Sequence, residues 1–143
     1  MNAHARYALL VIIAAMILLV LPAVSARALD LSSYTGVQLY MRFCSSCHGA
    51  NARGDGPVAK NFKIEVPDLT RIVHRHGGAF PTEQIHKIID GRKTLPPHGS
   101  REMPVWGFEL YREYENTGNS DPESHTADLV ARLTEYLRTI QIE

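Results

Sequence analysis

At 143 residues, with 15 Lys/Arg against 15 Asp/Glu, the chain has room for one domain of ordinary size and carries no net charge. That balance argues against the one-signed basic surface that grips a nucleic-acid backbone. Two cysteines only are present, Cys44 and Cys47, and a histidine follows the second directly.

The first 28 residues read apart from the rest. His4 and Arg6 form a short, weakly positive beginning, and the segment from Tyr7 to Val24 carries no charge. Small residues follow at Val24-Ser25-Ala26 and Ala26-Arg27-Ala28. This order predicts a secretory signal peptide cleaved after Ala26 or Ala28, which leaves residues 29–143 as the domain. The alternative is a retained membrane anchor. The unbroken apolar core, Ala8 to Leu21, is 14 residues, short against the roughly 20 that a spanning helix needs. Without Arg6 and Arg27, 13 basic side chains face 15 acidic ones.

A first helix is predicted from about Thr35 to Ser46, with Gly36, Leu39, Tyr40 and Phe43 spaced for one face. At its end stands Cys44-Ser45-Ser46-Cys47-His48. A structural zinc site requires four ligands, and the chain has no third cysteine. A thioredoxin-like dithiol sits where a strand enters a helix, and no β-branched run precedes Cys44. Covalent haem attachment accounts for the histidine as well, since two thiols add across the haem vinyl groups and the adjacent imidazole faces the iron.

The stretch from Gly54 to Gly78 is rich in glycine and proline and reads as loops that wrap a ligand. A middle helix is predicted from Thr82, its N-cap, to Gly91, with Ile85, Ile88 and Ile89 at i, i+3, i+4. Phe108–Ser124 reads as a solvated loop or short helix, with a docking surface as the alternative. It carries five carboxylates (Glu109, Glu113, Glu115, Asp121, Glu123) against Arg112. A last helix is predicted from Glu123 or Ser124, with Leu129, Val130, Leu133, Tyr136, Leu137 and Ile140 repeating at three and four. Three or four helices make a marginal core by themselves, and a buried haem would supply the missing apolar mass.

Two stretches, GVQLYMRFCSSCHGANARGDGP and MPVWG some fifty residues later, resemble the class I monohaem c-type cytochromes of the bacterial exported type. The resemblance runs from about Ser33 to Ile140. It implies an all-α, small cytochrome c fold, three to four helices around one covalent haem c held by Cys44 and Cys47. It also implies that Gly36 and Tyr40 cross Leu133 and Tyr136 where the terminal helices meet. In the family a proline carbonyl receives the far N–H of the proximal histidine, and Pro57 matches it. Trp106 would pack on the haem or bond a propionate, a core tryptophan being the alternative reading; Arg92 or Arg101 would pair with a propionate or stand in solvent.

The proximal axial ligand would then be His48. Beyond the signal segment only Met41 and Met103 remain as thioether donors. Met41 lies three residues before Cys44 on the anchored helix and cannot reach the other face of the ring. Met103 lies in a proline-bounded loop that can. His98, five residues from it, or an open sixth position are the alternatives, and His74, His76, His86 and His125 complete the imidazole competitors. Three functions follow: a periplasmic single-electron carrier, not itself an enzyme, between protein redox partners; the haem subunit of a larger periplasmic dehydrogenase, oxidase or reductase; or a gas-binding or peroxidase-like protein with a labile sixth ligand.

Overall fold

The computed structural model describes residues 2, 4–7, 11–13, 16, 30–91, 103–116 and 120–142. The signal-peptide reading of 1–28 falls mostly outside them, as do Arg92, His98 and Arg101. Among the described residues there is no strand, and no helix is long and apolar enough to cross a membrane.

Helix α1 covers Gly36–Phe43 and opens on a reciprocal cap. Thr35 Oγ1 accepts the Gln38 N–H at 3.4 Å, and Gln38 Oε1 accepts the Thr35 N–H at 2.8 Å. The chain breaks step at Cys44 and resumes as a single turn, α2, Ser45–His48. A 3-10 turn at Ala59–Asn61 and another at Leu69–Arg71 punctuate the long loop. The second is capped by Asp68, which accepts the Thr70 N–H at 2.8 Å, and it runs into the short α3, Ile72–Arg75.

Helix α4, Thr82–Asp90, ends where Gly91 takes a left-handed φ of 89°, the conformation that a C-terminal glycine supplies without strain. Thr82 is the first helical residue; the cap position belongs to Pro81, which offers no side-chain bond. Helix α5, Trp106–Glu115, occupies much of the acidic stretch that reads as a loop or short helix. Its carboxylates stand on the outer side while Gly107 and Leu110 are buried, so the charge-rich composition hides a single apolar edge. Helix α6, Pro122–Thr139, begins one residue before the earlier of its two expected starts, with Asp121 accepting the Ser124 N–H at 3.0 Å. Among the described residues, four helices of eight residues or more thus build the domain, in line with the all-α reading.

Helix α6 is the hub, with α1, α4 and α5 packed on it. Gly36 meets it so closely that an added Cβ would lie 2.8 Å from Tyr136 Cβ, and the Tyr40 and Tyr136 rings tilt together at 5.2 Å. The Arg132 guanidinium fastens the crossing by donating to the carbonyls of Ser32 and Tyr34 at 2.8 and 2.9 Å. Leu39, Tyr40, Leu110, Leu129, Val130 and Leu133 form the dry centre. On the other side, Tyr114 of α5 stacks on His125 of α6 at 3.7 Å. The chain's end returns to the loop: Gln141 accepts the Val73 N–H at 3.0 Å and donates to the Leu69 carbonyl at 2.8 Å.

Candidate functional site

The break at Cys44 sets up the site. Cys44 caps α1, and its carbonyl accepts the N–H groups of Cys47 at 3.1 Å and His48 at 2.9 Å. One helical turn therefore carries residues i, i+3 and i+4 of the pentapeptide on one side. Cys44, Cys47 and His48 all line a single cavity of about 420 Å³. Burial pushes the Cys44 thiol up to about 12, and the neighbouring Cys47 adds to it. Neither sulfur is in a disulfide.

Burial also holds the His48 imidazole below its ordinary value, against a smaller opposing effect from a backbone hydrogen bond. That bond joins His48 Nδ1 to the Pro67 carbonyl at 3.4 Å. With Nδ1 so engaged, Nε2 is the nitrogen left for a metal, and the carbonyl fixes ring orientation and basicity. The resemblance assigns this carbonyl to Pro57; the structure places Pro67 there instead. Pro57 lies in the turn that folds back beneath α2, where the N–H groups of Gly56 and Val58 bond the Cys47 and Ser46 carbonyls at 3.1 Å each. The chain reaches the His48 Nδ1 only later, at Pro67, and it is pinned there. The Leu69 N–H donates to the Ala52 carbonyl at 2.7 Å, and Asp68 caps the following turn. The usable sequence signal is the proline directly before a capping aspartate, Pro67-Asp68.

The rest of the lining comes from distant sequence. Ile85, Ile88 and Ile89 of α4, Leu133 and Leu137 of α6, and Phe62 and Ile64 of the long loop make the lining almost wholly apolar. Met103 and Trp106 complete it. Trp106 tilts against Phe43 of α1 with ring centroids 5.4 Å apart, so it packs on the attachment helix as well as facing the cavity. Met41 is 47 % exposed on the outer face of α1 and does not line the cavity. Of the competing imidazoles that are described, His76 alone lines it, together with Arg75 and Gln84; His74, His86 and His125 do not. In the sequence His76 reads as a competitor ligand and, with His74, as the candidate distal acid–base group of the gas-binding alternative. Its Nδ1 is engaged by the Ile72 carbonyl at 2.9 Å and its other ring nitrogen lies 3.3 Å from Gln84 Nε2.

A greasy cleft with two thiols and one imidazole on the same turn, and a thioether among its other lining groups, suits a flat apolar macrocycle carrying a soft-tolerant iron. The sequence model of one family, described as Cytochrome c, matches residues 33–141. The chain belongs to the cytochrome c family. No curated protein and no solved structure gives a significant match. As a cytochrome c, the protein carries covalently attached haem c, for which Cys44 and Cys47 have the required spacing, and its activity is haem-based electron transfer. Its partners are, in general terms, other redox proteins.

Proposed function

We propose that this cytochrome c is a single-electron carrier of the periplasm, its haem bound through thioethers to Cys44 and Cys47 with His48 and Met103 as axial ligands. One observation carries the reading: among the described residues, Met103 is the only thioether that lines the cavity shared by both thiols and His48. When bound, the haem iron would supply a one-electron couple. The chain's residues do the rest. His48, oriented by Pro67, and Met103 would fill both axial positions and leave no room for substrate. The isoleucines of α4 and the leucines of α6 exclude water, which favours the ferrous state of a His/Met site and raises the potential. The charge order of residues 1–28, a positive start, an apolar run and small residues, supports export and removal of that segment.

Service as a fixed subunit of a larger oxidoreductase draws support from Val37 and Met41, 45 % and 47 % exposed one turn apart on α1. Co-purification from the native membrane and periplasm separates the two roles. For the carrier, the experiment is intact mass and oxidised optical spectrum of the exported protein. A mass equal to residues 27–143 or 29–143 plus one haem, with the weak red-edge band of methionine ligation, is the expected result. Haem that extracts freely into acid–organic solvent, or a Cys44–Cys47 disulfide, would defeat it.

A further inference from the structure

The segment that presents Met103 ends in an unusual contact. Three residues after Met103 the chain enters α5 at Trp106, and Gly107 of that first turn is buried against Asp90, the last residue of α4. An added Cβ at Gly107 would lie 2.5 Å from the Asp90 carbonyl oxygen and 3.1 Å from its Cα, and nearer still to Oδ1. Two of those three atoms are backbone and cannot rotate away. On the other flank, the Trp106 ring is held against Phe43 of the attachment helix at 5.4 Å. The start of α5 is thus seated between α4, which carries the isoleucine wall of the cavity, and α1, which carries Cys44 at its end.

The placement of Asp90 is informative. A carboxylate at the C-terminal residue of a helix opposes that helix's own dipole, so α4 gains nothing from it. The same carboxylate stands beside the first turn of α5, where negative charge is favoured, and the α5 cap residue Val105 contributes no side-chain bond. The Asp90 carboxylate thus stands where the end of α4 meets the start of α5.

We infer that the Asp90–Gly107 junction is a positioning device: by letting α5 touch the end of α4, it sets how far Met103 reaches into the cavity. Gly107 is required because any side chain would push α5, and the ligand loop with it, away from the wall. This rests on Met103 being the sixth ligand, as proposed above. A structural role alone would lower stability without changing how often the thioether leaves the iron.

The test uses the haem-loaded ferric protein and added imidazole, which binds only when the sixth position opens. Gly107→Ala is expected to speed imidazole binding at least about tenfold and to weaken the red-edge band, since one inserted methyl in a tight contact strains its surroundings. Asp90→Ala, which adds no atom, is expected to speed it about threefold at unchanged ellipticity, as loss of a helix-start carboxylate is a smaller perturbation. Gly36→Ala, a tight contact remote from the loop, should lose stability and keep the wild-type imidazole rate and band. Wild-type rate and band in folded Gly107→Ala overturn the inference. If Gly107→Ala does not fold, an unchanged rate in Asp90→Ala overturns it by itself. Met103→Ala is the separating control: if it leaves the band intact, the ligand assignment fails, whereas an open site in Met103→Ala with silent junction variants sinks the positioning role alone.

Discussion

Replacing Gly36 with alanine should loosen the crossing of α1 and α6 and leave the chemistry in place. The new Cβ would sit 2.8 Å from Tyr136 Cβ and closer to the Arg132 carbonyl oxygen, well inside ordinary contact. Helix α6 has little freedom to retreat, because Arg132 is bonded to the Ser32 and Tyr34 carbonyls at 2.8 and 2.9 Å. Forcing one methyl into such a contact costs about 1–3 kcal/mol, and the better helix propensity of alanine returns about 0.5–1 kcal/mol. A net loss centred on about 1 kcal/mol follows. With urea slopes of about 1–3 kcal/mol/M for domains of this size, the midpoint should fall by roughly 0.3–1 M. Far-UV ellipticity of the haem-loaded protein reads it, with Val37→Ala, 45 % exposed on the same helix, as a control expected within about 0.5 kcal/mol. A Gly36→Ala midpoint equal to or above wild type would show that the helices can separate freely, and the close-approach argument would be wrong.

Tyr40→Phe should cost about 1–3 kcal/mol in the same titration, because Tyr40 Oη donates to the buried Gly49 carbonyl at 2.6 Å and its loss leaves an acceptor unpaired. Ala52 is fully buried with a left-handed φ of 61°. Ala52→Gly should therefore trade relieved strain against a lost methyl and land within about 0.5 kcal/mol, whereas a β-branched Ala52→Val should lose more than about 2 kcal/mol; equal losses in both would deny the strain. Residues 42–101 hold ten Lys/Arg against five Asp/Glu, and residues 102–143 three against nine. Electron transfer to a carboxylate-rich partner should consequently slow as salt is raised, and stopped-flow rates indifferent to ionic strength would count against docking through the basic half.

How much of the fold and site is legible in the sequence depends on how local each signal is. Helix α1 announces itself through Gly36, Leu39, Tyr40 and Phe43 spaced along one face, and α6 through leucines repeating at three and four. The pentapeptide fixes two thiols and an imidazole on one turn because its spacing is itself helical. Helix α5 is obscured: its carboxylates dominate the composition while Gly107 and Leu110 alone are buried. The identity of the proline at His48 depends on where a long loop comes back, which Ala52 and Leu69 decide through a backbone bond between residues 17 apart in sequence. No count along the chain from His48 reports that return. The Asp90–Gly107 contact is likewise a meeting of two helix ends, and neither residue stands out alone.

The optical spectrum of Met103→Ala, in the exported and haem-loaded protein, tests the ligand assignment most directly. With Met103 as the sixth ligand, the haem stays attached through Cys44 and Cys47 while the red-edge band disappears, the potential falls, and carbon monoxide binds the ferrous iron. Met41→Leu, on the outer face of α1, should change none of these. Retention of the six-coordinate spectrum in Met103→Ala, with its loss in His98→Ala, would contradict the assignment and make His98 the ligand.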